Sequence, residues 1–362
     1  MAAASGAYDA DRPILAHAIG DPAGVSPELT AKMLADPEVT AAALIIVLGD
    51  KRVLDRGAAI AGVTLDLTVV GPGDTLPLES KRPVLVDLGH CDPSTIETAV
   101  AQLAGGRAAL ENFKTALGLA KAGLVDAVTF SPFNKAAMRM AHGSYEDEIV
   151  FTAEMIGFDG QAKEFNILDG LWNARVTSHV PLSKVAALIT EDAIVNNLVL
   201  TDRALKDAGV TTARIGVAAL NPHAGDGGNF GREEIDVIGP AVQVAQARGI
   251  ACDGPFPSDT VFVRARRGQF DAVLTMYHDQ GQIAMKLIGF ESGVTLLGGF
   301  PFPIATPAHG TAYDIAGKGI ANPGATRAAM LLAARMGRAA RKGRGARGAS
   351  LAVTAARRLI AA

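Results

Sequence analysis

The chain has 362 residues, a length that predicts two domains of ordinary size. Nearly half of the residues are hydrophobic, so a large core can form, and 34 basic residues almost balance 37 acidic ones. This balance excludes a general polyanion-binding surface. No apolar stretch approaches the ~20 residues that span a bilayer, and no secretory signal is visible in residues 1–13. Cys91 and Cys252 are the only cysteines, which is typical of a reducing compartment, and we expect a cytoplasmic α/β protein.

The first third of the chain alternates strand and helix patterns. Ser26 is the expected N-cap of the first helix, with Pro27 at the first helical position. A long helical pattern is interrupted at Gly105-Gly106. Strand-loop-helix order favours a parallel sheet, and no G-x-G-x-x-G follows the first strand, so a dinucleotide would have to bind by another device. The patterns predict strands at 13–19, 43–48 and 126–130, and a helix at 95–122.

The middle of the chain contains two informative loops. Residues 221–234 (NPHAGDGGNFGREE) carry glycines that permit tight turns around His223, and a helix is expected to follow as far as Arg248. Residues 253–262 predict a second loop with Asp259 buried in it. The Arg- and Ala-rich residues 335–358 favour a solvated helix over a nucleic-acid arm, because no aromatic residue is interleaved. Further strands are predicted at 164–168, 174–177, 213–219 and 272–274, and a helix at 182–208.

Three histidines follow apolar, strand-like runs: His179, His223 and His278. Ligands bind at the carboxyl ends of the strands in an open α/β sheet, so these imidazoles are expected to meet there. Three imidazoles can hold a divalent metal and leave positions open for a substrate. Their spacing is not diagnostic of a metal, and the pattern alone favours ordinary hydrogen-bonded histidines. His17, His90 and His142 need only core or surface roles.

Other polar residues leave two interpretations each. Lys286 is either a surface lysine or a group that binds an anion or transfers a proton. Asp259 and Asp279 either orient an imidazole or cap a turn. The glycine-rich residues 309–319 (HGTAYDIAGKG) can bring backbone close to a phosphate-bearing ligand. The nucleophile elbow, the P-loop and the C-x-x-C motif are absent, so hydrolase, kinase and thiol-redox functions lack a motif.

Five segments together resemble one enzyme family. The segments are GDPAGVSPEL, NPHAGDGGNFGREE, GPFPSDTVF, MYHDQGQIAMK and HGTAYDIAGKG. They occur in the order found in the 4-hydroxythreonine-4-phosphate dehydrogenase family of vitamin B6 biosynthesis, and the resemblance covers about Pro13 to Arg335. The last segment also resembles the adenosine-binding loop of isopropylmalate and isocitrate dehydrogenases. The resemblance implies two α/β domains that flank a cleft, as in those enzymes. Residues 1–130 with 303–362 would bind NAD, and residues 131–302 would bind metal and form the dimer.

The resemblance also assigns roles to residues. The family's metal ligands fall on His179, His223 and His278, with one of them contributed across a dimer interface. All-imidazole ligation favours zinc. The catalytic candidates are Lys286, Asp259 and Asp279. NAD rather than NADP is favoured, because the binding loop has no basic cluster. The loop residues expected to contact NAD are His309, Gly310, Thr311, Asp314 and Asn322.

The expected substrate site departs from the family pattern. In the family, a His-Thr pair helps to bind the substrate phosphate, and this pair falls on Glu148-Ile149 here. The family's substrate-binding Asn falls on Thr295 and its Arg on Ile304. Lys286 is kept, and Asn134 is also expected to bind the substrate. A phosphate facing Glu148 without the arginine would lose charge-assisted hydrogen bonds worth about 1.5–3 kcal/mol each. A more apolar pocket suits a ring. In this respect the chain resembles the terephthalate 1,2-cis-dihydrodiol dehydrogenase branch of the family.

The sequence therefore predicts an NAD- and metal-dependent oxidoreductase of terephthalate degradation and aromatic catabolism. It would oxidise the cis-dihydrodiol of terephthalate with decarboxylation to protocatechuate, and it would act as a homodimer without nucleic-acid or membrane partners. Two alternatives stay open. One is a dehydrogenase of a four-carbon phosphorylated hydroxy acid such as 4-phosphohydroxythreonine. The other is a non-catalytic relative that binds metal or ligand.

Overall fold

The computed structural model describes residues 11–289 and 291–344. The strands are β1 (Ile14–Ala18), β2 (Leu44–Gly49), β3 (Thr68–Val70), β4 (Val84–Asp87), β5 (Ala127–Phe130), β6 (Lys163–Leu168), β7 (Leu171–Arg175), β8 (Ile215–Ala218), β9 (Cys252–Phe256), β10 (Ala272–Thr275), β11 (Val294–Gly298) and β12 (Ile304–Pro307). The α-helices are α1 (Ser26–Ala35), α2 (Pro37–Ala42), α3 (Lys51–Ala61), α4 (Leu103–Lys121), α5 (Lys135–Ala141), α6 (Glu148–Ile156), α7 (Leu182–Leu188), α8 (Glu191–Asp207), α9 (Gly239–Ala247), α10 (Ser258–Arg266), α11 (His278–Ile288) and α12 (Gly324–Arg344).

Strands and helices alternate along the chain, so the predicted α/β class is confirmed. The chain divides into two compact units. Unit 1 comprises the described residues up to Gly160 and from Phe300 onwards, and unit 2 comprises Gln161–Gly299. The first boundary lies 30 residues beyond the expected position at 130, because α5 and α6 pack against α4 and remain in unit 1.

The sheet of unit 1 is parallel throughout. Its strand order is β3-β4-β2-β1-β5-β12. β1, β2, β5 and β12 are buried along their whole length, which is why they read as continuous apolar runs rather than alternating ones. Because the strands are parallel, the loops that follow β1, β5 and β12 leave the sheet at the same edge.

Unit 2 contains a mixed sheet. Its strand order is β11-β6-β7-β10-β8-β9. The pairs from β11 to β7 are antiparallel, and the pairs from β7 to β9 are parallel. Asp169 and Gly170 join β6 to β7 with φ of 48° and 85°, the two consecutive left-handed residues of a tight hairpin turn. One core cluster of the unit includes Val261, Phe262 and Met285.

Several predicted elements have different bounds. The helix expected at 95–122 begins at Leu103 and runs through Gly105-Gly106 without a break. The helix expected at 182–208 is two helices, α7 and α8, because Thr190 caps α8 by accepting a hydrogen bond from the backbone N–H of Ala193. The loop expected at 253–262 is instead most of β9 and the start of α10.

Two further expectations concern the start of α1 and the C-terminal segment. Ser26 is not the N-cap of α1 but its first residue, and its hydroxyl donates to the carbonyl of Pro132 at 2.7 Å. The basic segment expected at 335–358 is described only to Arg344, where α12 ends, and its remainder lies outside the described residues. Within residues 11–289 and 291–344, no helix is long and apolar enough to cross a membrane.

Candidate functional site

Two of the three predicted metal ligands come together in unit 2. β7 and β10 are neighbouring parallel strands, and His179 and His278 follow their carboxyl ends. The two imidazole rings lie with their centroids 5.5 Å apart. His278 Nδ1 contacts Asp279 Oδ1 at 2.7 Å, which orients the ring and leaves Nε2 as the nitrogen available to a ligand. This contact fits the first of the two interpretations of Asp279, the orientation of an imidazole, and its functional role stays a prediction.

A cavity of about 240 Å³ opens beside the two imidazoles. Residues 177–180 and 277–279 line it, together with Leu182 and Val185 of α7. His179 holds a φ of 46°, a left-handed conformation that costs a non-glycine residue free energy. The walls thus combine two imidazoles with apolar side chains.

His223 does not join this pair. It follows β8, the neighbour of β10, and its ring lies 6.2 Å from that of Phe230. Six consecutive residues from His223 to Gly228 have positive φ, so the chain turns in a left-handed coil in the loop after the strand. Among the residues that the structure describes, no group of three His, Cys, Asp or Glu side chains can hold a metal. A three-histidine site made by two copies of the chain stays a prediction.

The other predicted residues of unit 2 are spread over three elements. Asp259 lies in the first turn of α10 and is exposed, so the expectation that it is buried is wrong. Lys286 is exposed on α11, eight residues after His278 and therefore on the same face of that helix. Thr295 of β11 is half-buried, and its hydroxyl accepts a hydrogen bond from Asn166 Nδ2 at 3.4 Å.

Sequence reasoning missed a buried arginine beside His179. Arg175, the last residue of β7, is 3% exposed and pairs with Glu164 and with the amide oxygen of Asn166. Its Nε donates to the hydroxyl of Ser178 at 2.5 Å, one residue before His179. Burial lowers the pKa of Arg175 despite the opposing charge of Glu164. The available signal was an arginine at the end of an otherwise apolar strand.

A second polar cluster lies in unit 1, after β1, and was also missed. Asp21 is 1% exposed; it accepts hydrogen bonds from the hydroxyl of Tyr313 and from the backbone N–H of Ala23. Burial raises the pKa of Asp21, against the effect of these two hydrogen bonds. Burial and the bond to Asp21 also raise the pKa of Tyr313, and a hydrogen bond with Asn134 opposes that shift. The signal for this cluster was Asp21 between Gly20 and Pro22 directly after a strand.

The five predicted NAD contacts fall in one segment, between β12 and α12. Asp314 and Asn322 are exposed, whereas Thr311 is buried. Space is open where a side chain at Gly310 would lie, so a ligand can approach the backbone there. Asn322 Oδ1 also accepts from the backbone N–H of Gly324 at the start of α12. His309 lies at the beginning of the segment with Nδ1 3.0 Å from the carbonyl of Gly310.

The residues at the expected phosphate position also lie in unit 1. Glu148 begins α6, accepts from the hydroxyl of Tyr145 at 3.0 Å and lies 3.8 Å from the ammonium of Lys135. Burial and the Glu148 charge raise the pKa of Tyr145. Ile149 is half-buried in the same turn. Ile304 has no exposed surface and pairs with Val128 across β12 and β5.

The comparisons with known proteins decide the family. The model of the family described as "Pyridoxal phosphate biosynthetic protein PdxA" matches residues 41–333, most of the chain. The chain belongs to the PdxA family. A PdxA-type relative in Rhizobium meliloti (strain 1021), named "Putative 4-hydroxythreonine-4-phosphate dehydrogenase 2", is 59% identical over 90% of this chain and 93% of its own length. A relative in Symbiobacterium thermophilum, named "Putative D-threonate 4-phosphate dehydrogenase", is 39% identical over 86% of this chain and 92% of its own.

Solved structures agree with membership in the PdxA family. A 4-hydroxythreonine-4-phosphate dehydrogenase from Klebsiella pneumoniae superposes with a TM-score of 0.77 at 31% identity, over 90% of this chain and 99% of that one. A terephthalate 1,2-cis-dihydrodiol dehydrogenase from Burkholderia xenovorans LB400 superposes less well, with a TM-score of 0.63 at 28% identity over 90% and 98% of the two chains. The terephthalate enzyme is thus the more distant of these two PdxA-like neighbours.

These findings overturn the main functional prediction. The expectation of an NAD-dependent oxidative decarboxylating enzyme that acts on terephthalate cis-dihydrodiol, and with it a role in aromatic catabolism, is wrong, because the relatives in the PdxA family carry names of phosphorylated four-carbon substrates. The expectation that Glu148 and Ile304 exclude a phosphorylated substrate did not take account of their surroundings. Glu148 has a hydrogen-bond donor in Tyr145 and a cation in Lys135, so its charge is partly compensated. Ile304 belongs to the core.

Proposed function

We propose that this protein is a dehydrogenase that oxidises 4-phosphohydroxythreonine with NAD and a divalent metal. The observation that carries the proposal is the 59% identity to the Rhizobium meliloti relative over 90% of the chain. Identity at this level over nearly the whole length supports the same substrate class. The reaction removes a hydride from the carbon that bears the hydroxyl group and a proton from its oxygen, which leaves a ketone β to the carboxylate.

The metal proposal rests on the donor set of unit 2. His179 and His278 present two imidazoles to one cavity, and Asp279 orients His278. These residues fit two of the three positions of a catalytic metal site, and His223 of a second copy of the chain would complete it. Imidazole ligands favour zinc or a similar borderline ion over magnesium. When bound, the metal supplies a Lewis acid at the substrate hydroxyl, and NAD accepts the hydride.

The roles of the remaining residues follow from their placement. Lys286 projects an ammonium from the same face of α11 as His278 and would hold a substrate anion. The open approach to Gly310 and the exposed side chains of Asp314 and Asn322 fit a dinucleotide laid along the segment between β12 and α12. In unit 1, the Lys135 cation beside Glu148 reduces the repulsion that this carboxylate would exert on an anionic substrate.

D-threonate 4-phosphate is the second candidate substrate. It is favoured by the 39% identity to the relative in Symbiobacterium thermophilum that bears this name. The two candidates share a hydroxylated four-carbon acid with a phosphate on its fourth carbon. They differ at the second carbon, where one has an ammonium group and the other a hydroxyl group.

The test is the absorbance of reduced nicotinamide on addition of NAD, zinc and each substrate to the purified protein. We expect turnover with 4-phosphohydroxythreonine and none with 4-hydroxythreonine, the matched compound that lacks phosphate. Turnover with D-threonate 4-phosphate alone would replace the first candidate by the second. Failure of both phosphorylated compounds with metal and NAD bound would refute the proposed substrate class.

A further inference from the structure

Part of the predicted NAD-binding segment packs against helix α1. Val25 and Leu29 form a small apolar cluster with the buried Ala321, and Ala312 and Ile315 pack against it. The backbone N–H of Val25, which precedes α1, donates to the carbonyl of Thr311 at 3.0 Å. A side chain at Gly24 would lie 2.6 Å from that carbonyl oxygen, so the two backbones are in direct contact.

A buried ion pair on α1 connects this helix to the end of the same segment. Lys32 Nζ lies 2.7 Å from Glu28 Oε1, and the Glu28 side chain is 1% exposed. The same ammonium donates to the carbonyls of Gly319 and Ala321 at 3.1 and 2.8 Å. Glu28 Oε1 in turn accepts from the backbone N–H of Ala321 at 2.8 Å. Lys32 thus uses three donors on one carboxylate and two carbonyls, which is the full capacity of an ammonium.

The placement of this pair is unusual for a helical i, i+4 contact. Lys51 and Asp55 form the same kind of pair on α3 at 2.6 Å, but both side chains are about half exposed, and an exposed pair contributes little free energy. The Glu28–Lys32 pair is instead largely removed from water, where loss of one partner leaves a charge or carbonyl unsatisfied. The interactions of this pair therefore stabilise the conformation of residues 319–321.

We propose that Glu28 and Lys32 are positioning residues for the dinucleotide: they hold residues 311–321 in the conformation that binds NAD. The inference rests on the proposed function, because it assumes that this segment receives the cofactor. A segment ordered before binding loses less conformational entropy when the ligand arrives. Without the ammonium, the carbonyls of Gly319 and Ala321 lose their partner, and the segment samples other conformations.

The test compares Lys32→Met with the wild-type protein by NAD titration, steady-state kinetics and hydrogen–deuterium exchange of the free protein. We expect Lys32→Met to weaken NAD binding by about tenfold or more, with kcat at saturating NAD and the KM for the phosphorylated substrate nearly unchanged. Exchange should rise in peptides covering 311–321 and stay constant in β2. Glu28→Gln keeps an acceptor for Ala321 but removes the ion pair, and it should show a smaller effect in the same direction.

Lys51→Met is the matched control, since it breaks the exposed pair on α3, and it should leave all three readouts unchanged. Wild-type affinity for NAD in Lys32→Met would overturn the inference. Increased exchange throughout unit 1, including β2, would also overturn it by showing a general structural role. A wild-type protein that binds no NAD would instead refute the proposed function, so the two failures are distinguishable.

Discussion

At the scale of single residues, His17 shows what burial does to a titratable group. It is the penultimate residue of β1 with 1% exposure, and its ring nitrogens contact the hydroxyls of Thr129 at 2.9 Å and Thr30 at 3.1 Å. Burial lowers the pKa of His17 from 6.5 to about 4. The hydroxyl partners satisfy the neutral ring, so of the core and surface roles that the sequence leaves open for His17, the structure shows the core role.

The His17 pKa predicts a pH dependence of stability. Because the folded-state pKa lies below the unfolded value of 6.5, the unfolded protein binds more protons between these two values, and the free energy of unfolding falls as pH decreases through this window. The resulting loss in the free energy of unfolding reaches about 3 kcal/mol near pH 4. We expect His17→Gln to lower stability at neutral pH but to flatten its decline between about pH 6.5 and pH 4, measured by urea unfolding.

His309→Gln is the control for that measurement, because His309 lies in a loop outside the core and the variant should keep the wild-type dependence. Equal slopes for His17→Gln and the wild-type protein would mean that His17 is not held neutral by burial.

At the scale of elements, the glycines of α4 act through packing rather than through a break in the helix. A Cβ atom at Gly106 would lie 1.9 Å from the carbonyl oxygen of Ala137 in α5, closer than any real contact. The pattern suggested an interruption because glycine is a poor helix former. Here the missing side chain lets the two helices approach, and α5 begins directly after Asn134.

Replacing Gly106 by alanine is therefore expected to destabilise the protein. Overpacking typically costs about 1–3 kcal/mol, which outweighs the gain in helix propensity of about 1 kcal/mol. Gly343→Ala in α12 is the matched variant, since nothing lies within 4 Å of its added Cβ, and it should be neutral or slightly stabilising. Thermal unfolding of the two variants measures the difference. A Gly106→Ala protein as stable as Gly343→Ala would contradict the close packing of α4 and α5.

At the scale of the whole molecule, unit 2 exposes large apolar side chains on α7 and α11. Leu182, in the wall of the cavity, is 70% exposed, and Leu287 of α11 is 83% exposed. Ile283 lies one turn before Leu287 on the same face and is 60% exposed. Exposed apolar side chains of this kind are typical of a surface that contacts another protein, and the dimer that the resemblance implies stays a prediction.

Mixing two inactive variants tests whether the metal site is shared between copies. If His179 and His278 of one copy bind metal with His223 of the other, a mixed dimer of His223→Ala and His278→Ala retains one intact site. Co-expression should then restore about a quarter of wild-type activity, because half of randomly paired dimers are mixed and each has one working site. Each variant alone should be inactive and should lose metal. A mixture as inactive as its components would refute a metal site shared between two copies of the chain.

The sequence by itself determined the α/β class and the family. Continuous apolar runs, the order of strand and helix patterns and five motifs in register are local features, and the structure and comparisons confirm what they predicted. The loops expected to carry function do follow strands, as His179, His278 and the segment after β12 show. Local patterns also misplaced bounds at Ser26 and Thr190, where a distant or capping partner decides the conformation.

Only the tertiary structure decided which groups meet. His179 approaches His278 because β7 and β10 are neighbours, although 99 residues separate the two histidines in the chain. Glu148 meets the cation of Lys135 because α5 and α6 both pack against α4, and Lys32 reaches Ala321 across 289 positions. Strand order and long-range packing bring such groups together, and no local pattern carries that information. The charge of a residue is therefore known from the sequence, but the groups that interact with this charge are determined by the fold.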